Sequence, residues 1–600
     1  MMMSLRAALM VEQRSVSKPS ATKQSPLYEE IASSHTCPGG RCQGRALLAM
    51  TLKKVNAMTV KTLIKVSEYH DSVSLMLVAR ELSKQNGVKD AAVVMGTEAN
   101  KSILADADLL TDDAKAASPN DLVIAVSSEN DSAADAALQK AEILLKQKTA
   151  SAQTGEFKPK TIRGALSAHA DANVAVISVA GRYAADEAWE ALSRGLHVLL
   201  FSDNVSLEDE IALKKYARDH GLLLMGPGAG TTILNNVALG FANVLPRGSV
   251  GIVSAAGTGL QEVSTLLARR GAGISQGIGT GGRDLKKEVG GIMMLESLKA
   301  LQQDDATSVL VLISKPPADE VVRLILDQAA ASVKPTVICF LGGDASALTK
   351  IPNVIPARTL YECALLAAQT IRLPHPGHLP MGEGMELPSP IGRRVGDEGE
   401  SVRKILADEN AKLAEQAKDL KQKLNANQRY LRGLFSGGTL CYEAQVIWKD
   451  MLSDKIYSNA PLPGGNVLPD STKSVQHTAV DLGEEEFTVG RPHPMIDNDL
   501  RIRRLLQEAR DPETAVIMLD VVLGYGAHPD PASELAPAIL QAKQIAEHEL
   551  IVAASVTGTE DDPQRLSAQV TALQNAGAVV CESNSAAARL SGLIISGKGG

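Results

Sequence analysis

Short apolar runs, each followed by a turn and then by a segment with apolar residues at helical spacing, recur along this chain from about residue 60 onward. Strands separated by helices cannot close as hairpins; they line up side by side as parallel sheets with right-handed crossovers. The runs Val174–Ala180, His197–Phe201, Leu222–Met225, Ser249–Ser254, Val309–Ser314, Pro335–Leu341, Thr514–Leu523 and Glu549–Ser555 all read this way. Hydrophobic residues make up 44% of the 600 but aromatics only 3%. Ala, Val, Leu and Ile therefore carry the core, as sheets buried on both faces prefer. Few aromatics leave no stacking platform for single-stranded nucleic acid. A net charge of −8 leaves no basic field for DNA or anionic lipid. No apolar run reaches the ~18 residues of a membrane span, so neither nucleic acid nor membrane is expected as a partner.

The punctuation divides the chain. Residues 1–59 are Ser-, Arg- and Lys-containing and unpatterned, with Met50 just ahead of the first regular text. Arg6, Arg14 and Lys18 suggest an organellar presequence, but Glu12, Pro19 and Pro26 interrupt it; a disordered extension is expected. Residues 60–148 form a small α/β (ferredoxin-like) domain, with a helix over Ser72–Gln85 stopped by Asn86-Gly87. After a polar stretch, 160–245 is a βα repeat and 246–371 a further α/β unit. Residues 372–430 hold a Pro/Gly-rich linker and a charged helix with a thin stripe of Leu406, Leu413, Leu420 and Leu424. The last unit, 431–597, repeats the pattern of 246–371. Arg432–Glu443 answers Gly248–Glu262, Thr514–Leu523 answers 307–314, and Glu549–Ser555 answers 334–341.

Strand, Gly-rich turn and helix start together make an anion site. The first helical amides lack internal partners, the helix dipole adds positive potential, and glycine admits an anion close to the backbone. Ser254, Gly257, Thr258 and Gly259 form one such turn, and Ser436, Gly437, Gly438 and Thr439 its repeat. Gly226, Gly228 and Gly230 form a third, Gly524 and Gly526 a fourth. No Walker Gly-x-x-x-x-Gly-Lys-Ser/Thr occurs. His528, past the carboxyl end of a strand, is the candidate catalytic histidine. His70 is a weaker one, and His375, His378, His477 and His493 are read as loop residues. Of six cysteines, Cys37, Cys42, Cys339, Cys363, Cys441 and Cys581, only the first two are close in sequence, so no metal site is expected. Reduced thiols fit a cytoplasmic protein.

These turns carry a resemblance. Gly248–Glu262, Gly277–Gly282 (with Gly279) and 309–314 look like the alpha subunit of succinyl-CoA synthetase, and Gly226–Gly230 is similar to its Gly-Pro-Asn-Cys-x-Gly turn. Residues 432–595 look like the carboxyl-terminal domain of the beta subunit. With the small α/β unit in front, the arrangement over about 60–595 resembles the bacterial FdrA proteins, of the oxamate carbamoyltransferase subunit AllF type. The resemblance implies a CoA-binding-like Rossmann-type domain at 160–245 and ligase-like α/β domains at 246–371 and 431–597. The fold class expected is α/β, with several parallel flavodoxin- or Rossmann-like units.

In the synthetases two helix N-termini point at a phosphohistidine. By resemblance Ser254, Gly257 and Thr258 supply one cradle, and Gly524, Gly526 and Ala527 the other. Three departures stand against a straight carry-over. Leu341–Leu348, equivalent to the stretch ending Met-Gly-His-Ala-Gly, has no histidine. The CoA-binding glycine loop after the first strand is replaced by Ser67–Ser72. The ATP-grasp domain is missing, since 372–430 is too short. The resemblance therefore implies an acyl-phosphate-handling subunit acting on carbamoyl phosphate and oxamate within a hetero-oligomeric complex. CoA is possible, though its loop is absent. An NDP-forming acyl-CoA ligase-like subunit and a non-catalytic scaffold are the alternatives.

Overall fold

The computed structural model describes residues 9–10, 59–151 (except 69–71, 98–99, 102–103, 106 and 108), 159, 161–371 (except 180 and 345–347), 395–488 and 492–596. The chain divides into two compact units, Gln13–Phe157 and a larger one formed by Met1–Glu12 with Lys158–Gly600.

In the smaller unit Leu122–Ser128 lies between Thr59–Lys65 and Val88–Met95, antiparallel to both. Helices Ser72–Ser83 and Asp131–Ser151 turn Leu75, Val78, Leu82, Ala137 and Leu145 onto Val93, Leu122, Ile124 and Val126. This first helix ends at Ser83, two residues short of the expected Gln85, and Gly87, at φ +84°, takes the left-handed conformation in the turn that leads into Val88–Met95. Thr59–Lys65, the strand ahead of the Ser67–Ser72 stretch, pairs antiparallel in this unit and is not the first strand of a dinucleotide-type sheet, which corrects the comparison with a CoA loop.

The larger unit holds three sheets among the described residues. Val174–Ile177, His197–Leu200 and Leu224–Met225 run parallel, and Leu9–Met10 pairs with Val174–Ile177. The expected extension is thus not wholly without fold: two of its residues cover an otherwise open edge. The rest of 1–58 lies outside the described residues.

The second sheet orders its parallel strands as Ile274–Gly279, Arg247–Ser254, Val309–Ser314, Thr336–Phe340, Val354–Pro356. The third reads His477–Asp481, Tyr430–Phe435, Thr514–Val522, Ile551–Thr557, Val579–Cys581. Strand for strand these are one topology, which is what the sequence repeat implies. Each also carries additions that periodicity did not reveal. The second sheet gains an antiparallel hairpin, Thr231–Leu234 and Val237–Gly240, turned at Asn235 and Asn236 with φ +49° and +67°. The third gains Ile456–Ser458 and Asn466–Val467.

The two halves share one core. Helices Gly257–Arg269 and Leu360–Ile371 of the first half pack against Gly438–Met451 and Asn584–Ser596 of the second, burying Leu260, Val263, Tyr361, Leu440, Ala444, Trp448, Ala587 and Leu590 in one cluster. The charged helix spans Val395–Lys421, and its stripe docks there through buried Leu413 and Ala417.

Polar contacts inside this core are reciprocal. Glu443, from the second half, accepts from Leu360 N (2.7 Å), the first amide of the first half's last helix. Glu262, from the first half, accepts from Asn584 N (3.0 Å), the first amide of the second half's last helix, and from Thr557 Oγ1. Asn584 Nδ2 closes the set by donating to Glu443 Oε2 (2.8 Å). Both carboxylates are almost fully buried. Each supplies the charge-assisted cap a helix start lacks.

Burial raises the Glu443 carboxyl to about 7, with the Asn584 and Leu360 hydrogen bonds pulling the other way. A folded-state value above the unfolded 4.5 means the native state holds the proton more tightly. Its contribution is complete below about 4.5 and is lost as pH rises through about 7. Urea midpoints at several pH values are therefore expected to separate the wild type from Glu443→Gln. The stability difference should shift in favour of the variant between pH 5 and 8, and a pH-independent difference would refute the assignment.

Candidate functional site

Open α/β sheets place ligands at the carboxyl ends of strands where the strand order reverses. In the two matching sheets that point lies between Arg247–Ser254 and Val309–Ser314, and between Tyr430–Phe435 and Thr514–Val522. Helices Gly257–Arg269 and Gly438–Met451 start just beyond these strands. Their cap residues, Ala256 and Gly437, make no side-chain capping bond. The two helix starts abut. A Cβ built on Gly437 would lie 2.8 Å from Thr258 Cγ2, and one on Gly259 would lie 3.0 Å from Thr439 Cγ2. The structure thus brings Ser254, Gly257, Thr258 and Gly259 together with Ser436, Gly437, Gly438 and Thr439, and joins the positive ends of two helix dipoles.

The halves differ in what fills them. In the second, Asp520 accepts from Ser436 N (2.7 Å), Gly437 N (2.9 Å) and Ser436 Oγ (3.0 Å), and pairs with the buried guanidinium of Arg501 at 3.5 Å. Asp481 Oδ2 would sit 2.4 Å from a Cβ on Gly438. This cradle already holds carboxylates of its own chain. In the first half Ser254 ends its strand three residues before the helix start, as Phe435 does in the second, and has Gly279 beside it where Phe435 has Asp481. Ile313, paired with Ser254, occupies the place of Asp520, the residue after Leu519 that pairs with Leu434. Ser254 Oγ is used locally, accepting from Ala256 N (3.1 Å) and donating to Ala256 O (2.7 Å). Gly257 and Thr258 remain partly accessible.

Lys315 follows the strand Val309–Ser314. It lies 5.5 Å from the Tyr442 ring centroid, and its charge acts on Asp481 and Cys441 of the opposite half. Desolvation raises the Asp481 carboxyl to about 7; Lys315 and the Gly483 amide oppose this, while Glu484 and Asp520 add to it. His493 is held down to about 4 by burial and then by Arg501. Sequence periodicity missed Lys315, Asp481, Asp520 and His493. Asp520 alone left a signal, a charge in the middle of an apolar run.

The remaining candidates serve the fold. A Cβ on Gly226 would meet Leu200 O at 2.2 Å, one on Gly279 would meet Thr231 O at 2.3 Å, and one on Gly228 Asp203 Oδ1 at 2.8 Å. Gly230 faces the Phe241 ring. These glycines let loops pack closely and do not form a nucleotide cradle. Gly524 and Gly526 are not the second cradle. The first would carry a Cβ 2.5 Å from Ala242 O and the second one 3.0 Å from the Phe241 ring, while Tyr525 bridges Ala242. The turn lies beside the helix Gly257–Arg269, since Gln261 reaches Leu523 O (3.4 Å), but at its flank and not its start. The helix after it is capped by Asp530. His528 is buried, accepts from Asp530 N at Nδ1 (3.1 Å) and has Nε2 3.3 Å from Glu534. Its ring is held within its own turn. His477, read as a loop residue, opens the strand His477–Asp481 and is buried because its Nδ1 accepts from Leu431 N. His70, His375 and His378 lie outside the described residues.

Comparison with known proteins places these elements. Residues 434–594 match a CoA-ligase family, 58–161 the AllF heavy metal-associated domain, and 247–342 a CoA binding domain. The CoA-binding match therefore falls on the region read from sequence as the first ligase-like unit. The uncharacterized protein YahF of Escherichia coli (strain K12) is 41% identical over 532 residues, covering 88% of this chain and 97% of its own. The succinate–CoA ligase [ADP-forming] subunit alpha 2 of Archaeoglobus fulgidus is 30% identical over 150 residues, 24% of this chain and 51% of that one. Among solved structures, the dinucleotide-forming acetyl-coenzyme A synthetase 1 of Ca. Korarchaeum cryptofilum is 15% identical, covering 71% of this chain and 83% of its own with a TM-score of 0.24. Residues 58–161 contain no cysteine and one histidine, His70; that donor set does not fit a thiolate site for a soft metal. No helix among the described residues is long and apolar enough to cross a membrane.

Replacing Asp520 tests the self-filled cradle. Asp520→Ile, which copies the other half, leaves Arg501 and two amides buried without their carboxylate and is expected to cost about 3–5 kcal/mol. Asp520→Asn keeps an acceptor and should cost about 1–3 kcal/mol. Equal denaturation midpoints for the two variants would contradict the geometry.

Proposed function

The protein belongs to the FdrA family, on a succinyl-CoA synthetase-like architecture, and from that membership we propose that it is the acyl-phosphate-handling subunit of an oxamate carbamoyltransferase. The observation that carries the reading is the junction of the two helix starts, partly accessible in the first half at Gly257 and Thr258, with the Lys315 ammonium over Tyr442 of the opposite half, in a chain whose Leu341–Leu348 stretch has no histidine to phosphorylate. The phosphate of carbamoyl phosphate rests on the first-turn amides, where dipole and ammonium charge favour it before and after bond cleavage. Thr258, at the contact with Gly437, offers a hydroxyl to the same group. The acceptor amide attacks the carbamoyl carbon, and phosphate leaves with the bonding electron pair. Small-molecule substrates and the other subunits of a hetero-oligomeric complex are the partners of this reading, with a cytoplasmic location.

An NDP-forming acyl-CoA ligase-like role is the second reading, favoured by the CoA-ligase and CoA-binding matches. It requires CoA and a grasp-bearing partner. The residues here fit CoA poorly, because Gly226, Gly228 and Gly279 are committed to contacts with Leu200, Asp203 and Thr231. A non-catalytic scaffold role would leave both activities absent.

Two measurements separate these readings. In the reconstituted complex, phosphate release from carbamoyl phosphate should depend on oxamate. Thr258→Val should slow it about ten- to a hundred-fold, the loss of one hydroxyl bond of ~1–3 kcal/mol in the transition state. An unchanged rate would place the chemistry on another subunit. Incubation with labelled ATP, with or without a grasp-type partner, should leave no acid-labile label on this chain; a label would favour the ligase reading.

A further inference from the structure

Of the two carboxylates set at the helix start of the second half, Asp520 and Asp481, the latter has a free side. Its Oδ1 accepts from Gly483 N (3.0 Å), while Oδ2, turned to the helix start at Gly438, has no hydrogen-bond donor among the described residues. Asp520 and the two glutamates of the shared core are committed. Asp520 serves Ser436, Gly437 and Arg501, and Glu262 and Glu443 cap helices. The groups facing Asp481 are Lys315 from the first half, and Glu484, Asp520 and Cys441 from the second, with His493 against the Gly483 turn. Burial disfavours the Cys441 thiolate and the His493 cation. The register-equivalent residue in the first half is Gly279, so the group exists on one side only and gives the junction a direction.

We propose that Asp481 is the proton acceptor of this site, taking the proton of an amide nitrogen as that nitrogen attacks the acyl carbon of an acyl phosphate held at Gly257–Gly259. The inference rests on the carbamoyl-transfer reading and adds what that reading lacks. A neutral amide nitrogen that forms a bond to carbon must shed a proton. The new C–N bond forms, the C–O bond to phosphorus breaks, the electron pair leaves on phosphate, and the proton passes to Oδ2 and then to solvent. A carboxyl raised to about 7 by desolvation is a stronger base than an ordinary aspartate, yet is still largely ionised just above neutrality.

Sulfate, a dianion across the working range, reports the charge of Asp481 without turnover. In the full chain its affinity should fall several-fold from about pH 6 to about pH 8 as a carboxylate appears beside it. Asp481→Asn should bind sulfate with no such pH dependence, and Lys315→Gln should bind it more weakly at every pH. In the reconstituted complex Asp481→Asn should lower the oxamate-dependent rate about 10²–10⁴-fold, and Asp481→Glu should restore part of it. If the wild type binds no sulfate at about pH 6, the anion-site reading fails and takes the proposal with it. If it binds with a flat pH profile, or if Asp481→Asn keeps the slope or the full rate, the anion site stands and the proton-acceptor role of Asp481 is overturned.

Discussion

Two buried glutamates hold this structure in register. Glu262 and Glu443 each leave their own half to cap the last helix of the other, with Asn584 tying them together. A carboxylate in an apolar core is costly unless its oxygens are satisfied. Here that requirement fixes the sliding and rotation of helix Gly257–Arg269 against Gly438–Met451. Because both helices begin at the junction, fixing them fixes the contact of Thr258 with Gly437 and of Gly259 with Thr439. The anion-favouring geometry is a by-product of how the halves are bolted together.

From that shared frame the halves diverge in chemistry. One keeps uncharged Gly279 and Ile313 behind its helix start; the other places Asp481 and Asp520 there. A duplicated scaffold has thus become a polarised one, with a side free of carboxylates and a carboxylate side. Lys315 reaches across, so neither half holds the full set of charges.

The repeat, the alternation of strands with helices and the stripe of the long helix were legible because periodicity and turn chemistry are local properties. The pairing of Ser254–Gly259 with Ser436–Thr439 followed from the same repetition. The choice of Gly524 and Gly526 for the second cradle failed because a glycine-rich turn reads alike whether it meets an anion or the backbone of Ala242. His528 misled for a related reason: strand-end position is visible in a sequence, whereas the Asp530 and Glu534 contacts that engage its ring come from the folded turn. Lys315 and Asp481 stayed hidden because each sits at the end of an ordinary strand and acquires meaning only through the opposite half.

The crossed caps also bear on how the chain folds as it leaves the ribosome. The amide of Leu360 waits for a carboxylate 83 residues further on, and Glu262 waits 322 residues for Asn584. The first half therefore emerges with a buried acid and a helix end both unsatisfied. It cannot settle into its final form until nearly the whole chain has been made. Synthesis in order, N-terminal part first, is here not the order in which structure becomes secure.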